Sequence, residues 1–250
     1  MTVKSGWVGC WVLCGWLMAG QAFAECSPPA VAGQWDFSVC KEWPVVPALT
    51  INAIAKFEPD PEYAHGDRYA HGDRIGSYDL DLSLSSVDNL TPLATYHQPS
   101  VFQSDAFALE SLELDTARYK LASDIRAFGV RAIFKNSSRV NPMDETRLSL
   151  YVKEGGKLRP VLDRMLVYRF GGEWDGNCAG ERATTISTIE IGKTSSHGFA
   201  DLIVKSVTTG VSGEGPPDNC EMKTTSHKPV LTTLHYDGKS YVLPKGFQGL

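Results

Sequence analysis

The sequence predicts an all-β exported protein. Its mostly antiparallel strands would form a sandwich or a propeller-like sheet, in one domain or two β subdomains, with two disulfides. Three observations lead there. Apolar residues recur with period two and almost never with period 3.6, turn dipeptides separate the alternating runs, and an even number of cysteines follows an N-terminal export signal.

The signal comes first in the chain. Lys4 supplies a charged start, Trp7 to Ala19 a short apolar run, and Ala22-Phe23-Ala24 a small-x-small cleavage site before Glu25. Residues 1–24 are therefore read as a secretory signal peptide and the mature chain as periplasmic. The apolar run falls short of the roughly 20 residues that a membrane-spanning helix needs. No later segment approaches that length, so no membrane span is expected. Cys26 follows Phe23-Ala24-Glu25, which lacks the small residues of a lipoprotein processing site.

Strands are expected where alternation is clean. Leu49, Ile51, Ala53, Ala55 and Phe57 form one run, and Tyr78, Leu80, Leu82 and Leu84 alternate with Asp79, Asp81 and Ser83. Phe128, Val130, Ala132 and Phe134 form a third, and Leu148, Leu150 and Val152 a fourth. Glu154-Gly155-Gly156-Lys157 reads as the turn to a partner strand near Leu158 to Leu162. Asp237-Gly238 reads as a two-residue hairpin turn, which would set Leu234 opposite Tyr241. Thr208 to Ser226, rich in glycine, proline and charge, reads as a polar loop anchored by Cys220. A soft division near Pro99 to Asp105 suggests an N-terminal β-rich portion, residues 25–104, and a C-terminal β domain, residues 105–250.

The net charge of -5 argues against a nucleic-acid partner or an anionic membrane surface, both of which attract basic patches. Of six cysteines, Cys10 and Cys14 leave with the signal. Cys26, Cys40, Cys178 and Cys220 remain, and four cysteines allow three connectivities. The sequence-local pairs, Cys26 with Cys40 and Cys178 with Cys220, have the lower loop-closure cost. A zinc site is the rival, but neither pair has C-x-x-C spacing.

Between the runs ending at Phe57 and starting at Tyr78 lies an exact tandem duplication, Tyr63-Ala64-His65-Gly66-Asp67-Arg68 and Tyr69-Ala70-His71-Gly72-Asp73-Arg74. It reads first as tolerated slack in a surface loop. The alternative makes His65, Asp67, Arg68, His71, Asp73 and Arg74 a finger that contacts a partner.

Catalytic motifs are weak. Gly210-Val211-Ser212-Gly213-Glu214 misses the last glycine of a nucleophile elbow, and no helix pattern follows it. Ser196, His197 and Asp201 supply triad residue types, but they are expected to straddle one turn between strands. Asp79-Leu80-Asp81 lacks the glycine of a calcium loop, Asp175-Gly176-Asn177 is too short, and His65 with His71 makes a metal pair only if the loop folds back. Carboxylate pairs for glycoside hydrolysis are set by spatial separation, so Glu110 with Glu113 and Asp144 with Glu145 are nominations only. No catalytic residue, cofactor or metal is assigned.

The C-terminal half carries motifs in a familiar order. These are Arg126-Ala127-Phe128-Gly129-Val130-Arg131, Glu145 to Val152, Leu158-Arg159-Pro160-Val161-Leu162, Gly172-Glu173-Trp174-Asp175, His197-Gly198-Phe199-Ala200-Asp201-Leu202, and Leu234-His235-Tyr236-Asp237-Gly238-Lys239-Ser240-Tyr241. Over roughly Leu112 to Pro244 the chain resembles exported Gram-negative proteins of the periplasmic lysozyme-inhibitor and effector-immunity type. Such proteins neutralise antibacterial effectors delivered by type VI or type IV secretion systems. The resemblance implies a non-enzymatic inhibitor whose partner is a periplasm-acting toxin that degrades peptidoglycan or phospholipid. The rival readings are a secreted hydrolase acting on a cell-envelope substrate and a structural envelope domain. The calcium-binding aspartate loop of some relatives is absent before Gly198, so a metal-dependent version is not implied.

Overall fold

The computed structural model describes residues 26–46, 48–63, 74–86, 89–175 and 177–247. Among the described residues twelve strands follow one another: β1 (Phe37–Glu42), β2 (Leu49–Pro59), β3 (Gly76–Ser86), β4 (Asn89–Ser104), β5 (Phe107–Lys120), β6 (Arg126–Asn136), β7 (Met143–Glu154), β8 (Lys157–Trp174), β9 (Gly180–Ser196), β10 (Phe199–Glu214), β11 (Glu221–Ser226) and β12 (Val230–Leu234). The signal segment lies outside the described residues. Among those described, no helix is long and apolar enough to cross a membrane.

The strands run in the order β1-β2-β3-β4-β8-β7-β6-β5, with β9 paired to β8, β10 to β9, and both β11 and β12 to β10. All ladders are antiparallel except the β4–β8 junction, a single parallel bridge from Thr95 to Lys157. There the Thr95 amide donates to the Gly156 carbonyl at 3.2 Å. The Gly155-Gly156 turn thus has two roles. It closes the β7–β8 hairpin, with Gly155 at φ 58°, and its carbonyl makes the bridge by which β4 pairs with β8.

Two apolar clusters result. In the first, Ile51, Leu80, Leu82, Leu84 and Phe102 from β2–β4 pack with Phe128, Phe134 and Tyr151 from β6 and β7. Residues before and after Asp105 therefore share one core. The second gathers Leu148, Leu150 and Val152 of β7, Leu162 and Met165 of β8, Leu202 and Val204 of β10, and Leu234, Tyr236 and Tyr241 near the C-terminus. β7 serves both, because Tyr151 enters the first cluster while Leu150 and Val152 on either side enter the second.

Two expectations from sequence are corrected. Thr208 to Ser226 is not a loop. Residues up to Glu214 continue β10, a single 3₁₀ turn spans Pro217–Asn219, and the chain returns as β11, pairing Thr209 with Ser226 through Glu214 with Glu221. Serines, threonines and glycines suit this strand because it has no core beneath it. The final hairpin is also wider than two residues. Tyr236, not Leu234, faces Tyr241, and the Asp237 carboxylate holds a four-residue turn by accepting from the Lys239 and Ser240 amides, both at 2.8 Å.

Both sequence-local disulfides are present, Cys26–Cys40 and Cys178–Cys220. The second ties the β8–β9 turn to the β10–β11 connection. At this tip Cys178 is buried, the Arg182 guanidinium lies 4.3 Å from the Trp174 ring, and β10 passes so close that a Cβ on Gly213 would meet the Cys178 carbonyl at 2.2 Å. The bridge closes a loop of 42 residues. Loop-closure entropy gives it about 4 kcal/mol at most. Replacing Cys178 and Cys220 together by serine is expected to lower stability by no more than this in urea titrations. Amide exchange is expected to rise in β10 and β11 while β2 and β3 stay protected.

Candidate functional site

β8, β9 and β10 are longer than the core they serve. Along β10, Leu202 and Val204 face the second cluster, and the same face continues as Ser206, Thr208, Gly210 and Ser212. Its β9 partners change in step, from Ile191 and Ile189 to Ser187, Thr185, Ala183 and Glu181. On β8, Arg169 pairs with Thr185 and Gly171 with Ala183. Period-two geometry places all of these on one face. No residue of 168–174, 180–188, 206–214 or 221–226 is fully buried. The sheet thus projects past the core with both faces open, for about 25 Å between Ser206 and Glu214 at the usual strand rise.

Small side chains make a trough on this face. Three adjoining cavities of about 300, 310 and 400 Å³ follow it. Arg169 and Thr185 line both the first and the second, and Gly171, Gly172 and Ala183 line both the second and the third. The floor is rigid and polar. Thr185 and Thr208 hydroxyls meet at 2.9 Å and Ser187 and Ser206 hydroxyls at 2.8 Å, so cross-strand bonds satisfy them without a ligand. Phe247 and the exposed Val230 give one end an apolar wall, and His227 lines the other. Gly171 and Gly210 keep the middle open. A Cβ on either would meet nothing closer than 3.6 Å and 3.9 Å respectively.

Arg169 links the trough to a buried carboxylate. Glu145 on β7 is fully buried, and the Arg147 guanidinium donates twice to its Oε2, at 3.1 and 2.8 Å. Arg169 Nε stands 3.7 Å from Glu145 Oε1, beyond hydrogen-bond range, and Oε1 has no hydrogen-bond partner. The Asp144–Glu145 nomination thus places one carboxylate inside an arginine clasp. Asp144 pairs with Lys135 at 3.4 Å. Glu110 is bound to Arg74, apart from this cluster.

The Ser196-His197-Asp201 segment forms the β9–β10 turn, and the structure replaces one member. The His197 ring turns away to the Tyr236 carbonyl at 2.9 Å. His235, which the sequence analysis placed only in the terminal hairpin motif, comes instead, with Nδ1 3.1 Å from Asp201 Oδ1 and 3.3 Å from Ser196 Oγ. The Ser196 hydroxyl donates to Asp201 at 2.7 Å and the Thr194 hydroxyl at 2.6 Å. A nucleophilic triad needs serine and carboxylate on opposite nitrogens of the imidazole. Here both meet the same nitrogen and the serine proton lies on the carboxylate, which is the geometry of a turn clasp. Ser212 sits within the β9–β10–β11 ladder, not at an elbow.

Of the duplicated loop, His65, Asp67, Arg68, His71 and Asp73 lie outside the described residues. Arg74 is an anchor: it donates to the Leu109 carbonyl and to Glu110, and its guanidinium sits 5.1 Å from the Trp35 ring. Among the described residues, no group of three or more His, Cys, Asp or Glu side chains could hold a metal.

The Thr194 hydroxyl first, then the Ser196 hydroxyl and the His235 ring nitrogen, hold the Asp201 carboxyl below its ordinary value of 3.8. A depressed folded-state pKa contributes stability above the unfolded value and loses it as pH falls through the folded one. Asp201→Asn is expected to destabilise the protein by about 2 kcal/mol at pH 7. The gap from wild type should hold down to pH 4 and close below it, read as urea midpoints across pH 2–7.

Compared with protein-family models, with curated proteins and with solved structures, the chain matches none.

Proposed function

We propose that the chain is an exported binding protein, an immunity-type inhibitor that captures an antibacterial effector acting in the periplasm and seats a segment of it in the β8–β10 trough. The observation that carries this reading is the projecting sheet itself. Three strands leave the core together, are stapled at the tip by Cys178–Cys220, and present a trough kept open by Gly171 and Gly210. A frame whose backbone is already fixed loses little conformational freedom on binding, which favours affinity. The two disulfides are compatible with an oxidising, extracytoplasmic compartment. The resemblance over Leu112 to Pro244 supplies the class of partner, a toxin that degrades peptidoglycan or phospholipid.

The hydrolase reading has one observation in its favour, the meeting of Ser196, Asp201 and His235. The shared ring nitrogen described above leaves Ser196 without a base.

Effector genes adjacent to the gene for this chain supply the candidates for a test. Cells exporting the cognate effector to the periplasm are expected to survive only when this chain is co-exported, with protection following its dose, because inhibition by occupancy must match the target in number. Removing residues 1–24 should abolish protection. Gly171→Val and Gly210→Val fill the trough without clash and are expected to abolish capture while stability stays within about 1 kcal/mol of wild type. Full protection by both valine variants would exclude the trough as the binding face. Turnover of an envelope substrate by the purified chain, with no effector bound, would replace the inhibitor reading with the hydrolase.

A further inference from the structure

Past the core, the apolar residues of β9 and β10 change sides. Leu202, Val204 and Ile189 face the second cluster, but the next large apolar residues, Val207, Val211 and Ile186, stand on the opposite face. The β9–β10 register is unbroken from Leu202 to Gly213, so no bulge accounts for the switch. The ladder adds two aromatic residues of β8 to this outer face. Tyr168 pairs with Ile186, itself the partner of Val207, and Phe170 pairs with Thr184, itself the partner of Thr209.

Tyr168, Phe170, Ile186, Val207 and Val211 belong to neither apolar cluster. Ile186 is 52% exposed, and the other four are half-buried. The trough face of the same strands carries the charges, Arg169 and Glu173 on β8, Glu181 on β9 and Lys223 on β11. On the outer face, the one charge in the described ladder rows from Val207 to Gly213 is Arg182, whose guanidinium lies over the Trp174 ring. A sheet face that meets only water is ordinarily the polar one. Here the assignment is reversed, and the apolar side is the side without a core.

We infer that two copies of the chain pack sheet on sheet through this outer face, about a two-fold axis that runs along the strands between β9 and β10. A two-fold interface lays a patch on itself, so its charges must be self-complementary. Glu190 of β9 and Lys205 of β10 satisfy this at the proximal border. They are exposed, occupy adjoining ladder rows, and form no ion pair among the described residues. The axis exchanges β9 with β10, which sets Glu190 near Lys205 of the second copy, twice, and Ile186 against Val207. Four strands wide and about 26 Å long, the face has a footprint of roughly 500 Å². Side-chain relief brings the buried area to the lower end of the about 600–1,000 Å² per partner of a stable interface. A net charge of -5 disfavours an anionic lipid surface as the occupant. The inference goes beyond the reading above, because it leaves the trough of each copy open on the other side of the sheet.

Sedimentation velocity of the mature chain tests this without any effector, so its failure is distinct from failure of the immunity reading. Monomer and dimer are expected to exchange with concentration, with the dimer dominant at about 100 μM. Ile186→Asp sets two carboxylates at the centre of the interface and should leave only monomer, with an unchanged thermal midpoint because the site is exposed. Glu190→Lys should weaken the dimer by about 10-fold or more, and adding Lys205→Glu should restore it to within about 3-fold of wild type. Gly171→Val, on the other face, should dimerise like wild type. A wild-type chain that stays monomeric, an Ile186→Asp variant that dimerises normally, or a double charge swap that fails to restore the dimer would each overturn the inference. A monomeric chain that binds phosphatidylcholine vesicles, or captures an effector, only while Ile186 is intact would overturn it in favour of that occupant.

Discussion

Everything in this molecule hangs on β7 being buried on both faces. Leu148, Leu150 and Val152 belong to one apolar cluster and Tyr151 to the other, so neither half of the sheet can loosen without exposing a face of this strand. Its polar residues are placed to match. The Ser149 hydroxyl accepts the Arg164 amide at 2.9 Å, where β8 bulges and Arg164 takes a positive φ of 46°. A one-residue slip of β7 would carry its apolar side chains to the wrong clusters, so its register is specified twice over. With β7 fixed, β8 is fixed from Lys157 to Gly171, and from Tyr168 onward it pairs with β9, which leads out of the core with β10.

Buried charge reinforces the same frame. Asp115 accepts from the Arg131 guanidinium at 2.9 and 2.6 Å, from the Tyr119 hydroxyl at 2.9 Å and from the Ala117 amide at 2.9 Å. These bonds close the irregular stretch where the β5–β6 register shifts between Asp115 and Tyr119. Burial works against ionisation of this carboxyl, but the amide, guanidinium and phenol together outweigh it and hold its pKa below the ordinary value. The sheet edge at β5 is thus pinned by polar bonds of fixed geometry. Glu145 with Arg147 is the equivalent pin on β7. Leaving either carboxylate without its arginine would strand a buried charge, which is far more costly than the pair itself is stabilising.

How much of this was legible depended on whether a residue's neighbours in sequence are also its neighbours in space. The runs at Ile51–Phe57, Tyr78–Leu84 and Phe128–Phe134 announced strands, because one face of each is apolar and period two is a local property. The disulfides were legible because loop closure favours the near cysteine. Thr208 to Ser226 misled because small and polar residues usually mark turns. A strand with both faces wet has the same composition, and only its pairing with β9 and β11 distinguishes the two. The trough was invisible for that reason. His235 joins Asp201 across 34 positions of sequence through the β10–β12 ladder.

The β2–β3 ladder closes at Pro59 and Gly76, and Arg74 fastens the strand entry to Leu109 and Glu110. This has a bearing on how the protein can evolve. The two copies of Tyr-Ala-His-Gly-Asp-Arg are identical, so gain or loss of a whole copy always leaves an arginine directly before Ile75. The anchor regenerates itself as long as one copy remains, and the logarithmic dependence of closure entropy on length makes each added unit inexpensive. Replication slippage, ordinarily a frameshift hazard, becomes here an in-frame means of changing the length of the segment between Tyr63 and Arg74, with the two ladder ends unchanged in sequence. A lineage in which partners change faster than scaffolds can vary that segment in steps of six residues while keeping one fold.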